Sequence, residues 1–230
     1  ARPGAEEEDQ VPHRLYGHVS GRESYSVARW LTDARQAIAE TWRCGLTAVI
    51  TGGTGLYFKA LEEGLAEITP IATDVREHWR GFAGDLHAEL SRVDPAAAAR
   101  LSPNDRQRLI RALEVVTGTG KSLLAWQEEG RSRAVLAEAE VERIFIEVPR
   151  PELYSRAETR FDGMMKAGAL AEVAALQGLD PRLPVMKAIG VSELSAHLRG
   201  EISLAEATAR AKTATRNYIK RQMTWWRGQM

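Results

Sequence analysis

The chain has 230 residues, 44% of them hydrophobic, and its 31 basic residues balance 31 acidic ones. This composition is typical of one or two soluble domains with a buried core, and it excludes disordered, collagen-like and disulfide-rich proteins. Cys44 is the one cysteine, no apolar run reaches membrane-spanning length, and the first ten residues are too acidic for a signal peptide. We therefore expect a cytoplasmic protein with no membrane contact. Zero net charge predicts that any nucleic-acid site is a local patch.

Two short apolar runs predict strands, residues 46–51 before Gly52 and residues 143–148 before Pro149, and residues 13–20 are a weaker third candidate. Their unbroken apolar character is typical of a parallel sheet covered on both faces. Most of the remaining chain has helical periodicity. The predicted helices are 25–41, 55–64, 74–92, 104–117, 122–130, 151–167, 170–177, 191–198 and 203–227. Pro151 and the Ser203–Glu206 capping box mark two helix starts.

About 90 residues separate the two stronger strands, too many for an ordinary crossover, which predicts a helical insertion. We place the α/β core in residues 1–70 and 105–230, and the helical insertion in residues 71–104. An alternative boundary extends the insertion to about residue 135. Two or three strands are too few for a complete sheet, so the sheet is expected to be incomplete in this mainly helical chain.

Residues 51–55, with the sequence Thr-Gly-Gly-Thr-Gly, follow the first predicted strand and open a helix. Glycines there let the backbone approach a phosphate or diphosphate, which the free N–H groups of the helix start favour. A plain strand-to-helix turn explains the same residues. Thr54 can cap the helix or orient a substrate.

The helix at 104–117 carries three arginines close together: Arg106, Arg108 and Arg111. Arg108 and Arg111 share a face with Asp105, which favours an ion-pair network, and an alternative is a set of guanidinium forks for an RNA backbone. Gly118 to Ser122 (Gly-Thr-Gly-Lys-Ser) is not a phosphate loop. Val115 stands where that motif needs a glycine, and the segment follows a helix, so it predicts a helix end.

The C-terminal helix has six basic residues after Ala207 and no acidic one. Four of them, Lys212, Arg216, Lys220 and Arg227, lie within about 80° of one another around the helix. A solvated face is one interpretation, but the lack of acidic neighbours favours a polyanion site. The histidines and Cys44 show no metal-ligand spacing, so no protein metal site is predicted.

Five segments in order resemble the tRNA dimethylallyltransferase (tRNA isopentenyltransferase) family. They are VITGGTGLYFKALEEGL (49–65), SPNDRQRLIRALEV (102–115), LYSRAETRFDGMMKAGALAEV (153–173), LPVMKAIGVSEL (183–194) and ATRNYIKRQMTWWR (214–227). VPHRL (11–15) and Tyr25-Ser26 fit the same family. The resemblance implies a P-loop-kinase-like parallel sheet with a helical insertion domain.

The same resemblance implies a Mg²⁺- and nucleotide-binding, monomeric transferase whose substrates are dimethylallyl diphosphate and the tRNA anticodon stem-loop. It gives Thr54 and Arg216 catalytic roles, Thr54 facing the adenosine and Arg216 holding the diphosphate. Gly52, Gly53 and Lys220 complete the diphosphate site. The residues that match tRNA contacts are Arg76, Gln107, Arg108, Leu109, Ile110, Arg111, Lys187 and Gly190.

The sequence departs from the family in two places. The family's Arg-x-x-Gly-Tyr-Arg reads Lys187-Ala188-Ile189-Gly190-Val191-Ser192 here. The first strand, the Gly-Lys-Ser/Thr phosphate loop and the Asp-Ser segment with the general base are not in the sequence, so we expect the chain by itself to be inactive. Two other functions stay open: an adenylate isopentenyltransferase acting on a free nucleotide, and a noncatalytic RNA-binding helical module.

Overall fold

The computed structural model describes residues 3–130, 134–136 and 139–228, and these residues are mainly helical. The helices are α1 Ala5–Gln10, α2 Val27–Arg43, α3 Gly55–Glu63, α4 Thr73–Gly81, α5 Leu86–Val93, α6 Pro95–Ala98, α7 Arg106–Thr119, α8 Leu123–Gly130, α9 Arg150–Lys166, α10 Ala169–Ala175, α11 Val191–Leu198 and α12 Leu204–Arg227, with a 3₁₀ turn at Pro184–Lys187. Most predicted helices are confirmed to within two residues.

Side-chain caps explain where several helices begin. Ser26 accepts a hydrogen bond from the backbone of Arg29, and Ser203 accepts one from Glu206. The Glu206 side chain pairs with Arg210, so the expected Ser203–Glu206 capping box forms only its first half. Gly120, at φ +70°, caps the end of α7, which confirms that this Gly-rich segment ends a helix.

The predicted helix 74–92 is two helices, α4 and α5, separated at residues 82–85. Asp85 caps α5 by accepting from the backbones of His87 and Ala88, at 2.9 and 3.0 Å. A Cβ at Gly84 would stand 2.7 Å from the Phe82 ring, so a side chain at this position would require the ring to move. A capping aspartate after a glycine was the sequence feature that marked this break.

The two predicted strands do not form within the described residues. Residues 46–51 and 143–148 are irregular, and so are residues 13–20. Burial on both faces was the basis of the prediction, yet Val49 is 81% exposed and Ile146 is 81% exposed. A strand needs a neighbour for its backbone hydrogen bonds, and no described segment pairs with these runs. The strands of the expected α/β core are therefore unconfirmed, and the described residues show its helical part.

The chain divides into two compact units, Ala1–Leu56 with Glu142–Met230, and Tyr57–Val141. The predicted insertion, 71–104, lies inside the second unit. Helix α7, which lies beyond 104 but within the extended bound of about 135, packs on α4 and α5 of that unit. The buried cluster there consists of Trp79, Leu86, Leu90, Ala97, Ala98, Leu109, Ala112 and Leu113.

The first unit has its own buried cluster, built from helices α9 to α12. Its members are Phe161, Val173, Val191, Leu194, Ala207 and Ala211. The small side chains of Ala207 and Ala211 lie one turn apart on α12, which lets α12 pack closely against α9 and α11. This packing fixes the position of α12, the long basic helix, relative to α9 and α11. No helix in the described part of the chain is long and apolar enough to cross a membrane.

Candidate functional site

The glycine turn at residues 52–55 is held by one face of α12. The Thr54 hydroxyl lies 3.2 Å from the Tyr218 hydroxyl, and the Gln222 amide donates to the carbonyl of Gly53 at 2.7 Å. Tyr218, Gln222 and Trp225 are spaced by four and three residues, so they form one stripe. The exposed Thr54 hydroxyl is thereby positioned next to the start of α3.

Side chains of α12 occupy the space beside two glycines of this turn. A Cβ at Gly53 would lie 2.0 Å from Nε2 of Gln222, and a Cβ at Gly55 would lie 2.2 Å from the Trp225 ring. From the sequence, a bound phosphate and a plain turn both explain these glycines, and the family resemblance implies diphosphate contacts for Gly52 and Gly53. Here the space beside two of them is filled by α12, so close packing accounts for Gly53 and Gly55.

Arg216 is paired with a carboxylate from another helix. Its Nη1 donates to Oε1 of Glu158 in α9, and its Nη2 donates to Thr213 at 2.9 Å. Lys212 makes a similar bond to Asp162, at 2.7 Å. The prediction that the basic face has no acidic neighbours is therefore wrong for these two cations, because α9 supplies them. Glu158 and Asp162 are four residues apart, which was the available sign in the sequence.

The predicted diphosphate residues lie in two places on the first unit. Gly53 and Thr54 contact the Tyr218 stripe of α12. At 100° per residue, Arg216 and Lys220 lie about 160° around the helix from Tyr218. Lys220 is exposed and has no ion-pair partner among residues 3–130, 134–136 and 139–228. The structure thus separates the glycine turn from the basic side chains expected to act with it.

The predicted tRNA residues of α7 differ in their exposure to solvent. Gln107 and Arg108 are exposed, and Arg108 pairs with Asp105 at 3.3 Å. Leu109 is 1% exposed and packs in the core, so its side chain is not available to RNA. Ile110 is half-buried against the same cluster. Arg111 pairs with Glu114 at 3.6 Å and not with Asp105.

Arg76 lies on α4 in the same unit as α7. Its Nε is the one buried side-chain nitrogen or oxygen without a hydrogen-bond partner in the part of the chain that is described. Buried polar groups normally have a hydrogen-bond partner, so the N–H at this Nε is still available to donate to one.

Lys187 and Gly190 belong to the first unit. Lys187 is exposed at the end of the 3₁₀ turn. Gly190 is buried at φ +96°, and a Cβ there would lie 3.2 Å from the Phe161 ring. Its backbone N–H donates to Glu193 at the start of α11. The requirement for glycine is explained by this packing and conformation.

A cluster that the sequence interpretation missed ties residues 18–25 to α2. Tyr25 donates its hydroxyl to Asp33 at 2.5 Å, and Nε2 of His18 lies 3.1 Å from the Tyr25 hydroxyl and 3.3 Å from Asp33. The Tyr25 hydrogen bond, and next the contact with His18, hold the pKa of Asp33 below its usual value. This half-exposed cluster fixes the segment that leads into α2.

The donor groups at the glycine turn and at Arg216 do not by themselves fit Mg²⁺. They are hydroxyls, an amide and the carboxylate of Glu158, which Arg216 already occupies. Mg²⁺ favours carboxylates combined with water and phosphate oxygens. Within the described residues, no group of three or more His, Cys, Asp or Glu side chains is arranged to hold a metal ion.

Comparison with known proteins gives one consistent family. A sequence profile described as IPP transferase matches residues 1–229. The chain is 50% identical to the tRNA dimethylallyltransferase of Azorhizobium caulinodans, over 100% of this chain and 76% of that protein. It is 51% identical to the enzyme of the same name from Beijerinckia indica, over 100% of this chain and 78% of that protein.

Solved structures agree with the sequence comparison. The full-length tRNA isopentenylpyrophosphate transferase of Bacillus halodurans is similar with a TM-score of 0.66 and 33% identity, covering 98% of this chain and 71% of that one. A eukaryotic dimethylallyltransferase described as acting on tRNA is similar with a TM-score of 0.74 and 26% identity, covering 96% of this chain and 57% of that one.

Proposed function

The chain belongs to the IPP transferase family, and from that membership we propose that it acts in tRNA prenylation. The reaction moves a dimethylallyl group from dimethylallyl diphosphate to N6 of the adenosine next to the 3′ side of the anticodon, releasing diphosphate. The observation that carries this proposal is the match of the whole chain, at about half identity, to proteins named tRNA dimethylallyltransferase.

The chemistry requires charge neutralisation at the leaving group. The bond between C1 and oxygen of the allylic diphosphate breaks as C1 bonds to N6. The diphosphate leaves with the electron pair of that bond, and the proton of N6 passes to solvent. Cations and N–H donors lower the barrier by stabilising the negative charge that develops on the diphosphate. Arg216 and Lys220 are the basic side chains that we assign to this role.

Arg216 must exchange partners to bind diphosphate. In the structure its guanidinium is bound to Glu158, with side-chain exposures of 37% and 36%. Ion pairs of this exposure contribute little net free energy, so a diphosphate, which carries more negative charge than one carboxylate, can replace the carboxylate at small cost. Glu158 then keeps Arg216 ordered in the absence of substrate.

Thr54 is assigned to the adenosine. Its hydroxyl is exposed, and Tyr218 holds it through the hydrogen bond at 3.2 Å. The target base must leave its stack to present N6, which costs a few kcal/mol, and a fixed hydroxyl recovers part of that cost. Three arginines of the second unit, Arg76, Arg108 and Arg111, are assigned to the tRNA backbone.

A magnesium requirement stays a prediction, because the residues at the two sites do not supply its ligands. When bound with the substrate, the ion would neutralise diphosphate charge. We also propose a monomeric enzyme and, because its proposed substrate is tRNA, a cytoplasmic one. Activity with and without EDTA tests the magnesium requirement, light scattering in solution tests the monomer, and cell fractionation tests the location.

The test of the function is a transfer assay with the chain in its full-length protein. We expect dimethylallyl diphosphate and an anticodon stem-loop to give N6-dimethylallyl adenosine, seen by mass spectrometry after nuclease digestion. Modification of free AMP in place of the stem-loop would identify an adenylate isopentenyltransferase. RNA binding with no transfer to either acceptor would support a noncatalytic module, and the names of the relatives favour neither outcome.

A further inference from the structure

Glu114 is a buried carboxylate that holds two exposed arginines. It lies on the inner side of α7 and is 4% exposed. Nε of Arg80, from α4, donates to its Oε1 at 3.0 Å, and Nη1 of Arg111 lies 3.6 Å from its Oε2. The side chains of Arg80 and Arg111 are 58% and 43% exposed. One buried acid therefore orients cations that come from two helices.

The geometry leaves the outer part of Arg80 available. Glu114 engages Nε, and neither terminal nitrogen of Arg80 has a further partner among the described residues. Those two nitrogens form the fork that binds two oxygens of a phosphate. One carboxylate faces two guanidinium groups, so these three side chains together carry a net positive charge.

Neighbouring arginines extend the same surface of the second unit. Arg106 donates to the carbonyl of Phe82, at 2.7 Å, and so fastens the start of α7 to the end of α4. Arg76 lies one helical turn before Arg80 on α4, and its buried Nε has no partner. Arg76 and Arg80 are therefore neighbours on one face of α4. Arg76 has an unpartnered Nε, and Arg80 has two terminal nitrogens without a partner among the described residues.

Stability alone is a weak reason for this arrangement. Burying a carboxylate costs desolvation free energy, and well-packed apolar residues often replace a buried ion pair without loss of stability. A rigid, outward guanidinium has a clear use, because a preorganised arginine loses less side-chain entropy when it binds phosphate.

We propose that Arg80 binds a phosphate of the RNA backbone, and that Glu114 is the positioning residue that presents it together with Arg111. This proposal rests on the tRNA substrate of the proposed function. It adds a contact on α4 and gives the buried carboxylate a role that acts through its two arginines.

The first test removes Arg80 and measures binding of an anticodon stem-loop across a salt series. Arg80→Ala is expected to bind about tenfold more weakly. The slope of log affinity against log salt should fall by about one, because one fewer counterion is released. Arg92→Ala is the matched control. Arg92 is 72% exposed, lies in the same unit and is paired with Glu89, so its loss should leave the slope unchanged.

The second test separates positioning from charge. Glu114→Gln removes a negative charge, so simple electrostatics predicts tighter RNA binding. Positioning predicts binding weaker by severalfold, because Arg80 and Arg111 lose the carboxylate that orients them. Arg80→Lys keeps a cation and loses the fork, and we expect affinity between that of the parent and Arg80→Ala. This variant carries the test if Arg80→Ala or Glu114→Gln fails to fold.

Three outcomes would overturn the proposal: Arg80→Ala with the parent's slope, Glu114→Gln with tighter binding, or Arg80→Lys with unchanged affinity. Failure of the proposed function looks different. In that case the unsubstituted protein transfers no dimethylallyl group to the stem-loop, whatever the salt slopes of the variants.

Discussion

At the scale of single residues, Thr54 allows a direct test of the adenosine site. Thr54→Ala is expected to lower the rate of transfer about tenfold, since one hydrogen bond to the reacting nucleoside is worth about 1 kcal/mol or somewhat more. The residue is exposed, so the melting temperature should not change. Thr51→Ala is the control, because it removes a similar hydroxyl bond, to Tyr16 at 2.9 Å, in the same turn. Equal loss of rate in both variants would contradict the assignment.

Glu158 is predicted to compete with the diphosphate for Arg216. In Glu158→Gln the guanidinium is released, so we expect KM for dimethylallyl diphosphate to fall by severalfold while kcat changes little. Steady-state kinetics at fixed stem-loop concentration measure this. Glu152→Gln, which breaks a pair with Arg156 on the same helix, should leave KM unchanged. A raised KM in Glu158→Gln would mean that the carboxylate positions Arg216 for substrate.

Asp33 is the residue for which a pH effect is expected. The hydrogen bond from Tyr25, followed by the contact with His18, lowers the pKa of Asp33 in the folded state. A depressed carboxyl pKa contributes stability above the unfolded-state pKa, and that contribution is lost as pH falls through the folded-state pKa. Tyr25→Phe should raise the pKa of Asp33, measured by carboxyl-carbon NMR, and start acid unfolding at higher pH. Tyr16→Phe should leave that pKa unchanged.

At the scale of elements, the packing of the glycine turn on α12 depends on Gly55. Its added Cβ would lie within 2.3 Å of three ring atoms of Trp225. Gly55→Ala is therefore expected to lower the free energy of unfolding by about 1–3 kcal/mol. The loss should be smaller when Trp225→Ala is also present, and a double-mutant cycle measures the difference. Gly81→Ala, where nothing lies within 4 Å, serves as the control.

Helices were predictable because their evidence is local. Spacing of apolar residues and capping side chains lie within a few residues of the helices that they define, as at Ser26 and Gly120. The break between α4 and α5 was missed because helical periodicity continues through it. The strands were a different case. Residues 46–51 and 143–148 have the composition of buried strands, but pairing is a property of two segments, and the sequence of one segment does not contain it.

The site was less predictable than the helices for the same reason. Arg216 and Lys212 belong to a helix stretch without acids, and only packing of α9 on α12 shows that Glu158 and Asp162 neutralise them. The opposite positions of Tyr218 and Arg216 on α12 followed from the spacing alone, but which face meets the glycine turn did not. Leu109 illustrates the limit of a motif, since a matched segment includes residues that serve the core.

At the scale of the whole molecule, charge balance governs behaviour in solution. Basic and acidic residues are equal in number and the pI is about 7.2. Proteins without net charge associate most readily, so we expect a solubility minimum close to neutral pH. Turbidity or light scattering of concentrated protein from pH 5 to pH 9 measures it. Solubility that falls steadily from one end of that range to the other would contradict the expectation.

The bond between Gln222 and Gly53 has a consequence for how the protein is made. Its two residues are 169 positions apart. At about 5–20 residues per second, a ribosome needs roughly 10–30 seconds between one and the other. The unit formed by Tyr57–Val141 is a single continuous stretch and is synthesised within that interval. During synthesis the glycine turn therefore has no α12 to pack against until nearly the last residues of this sequence have been translated.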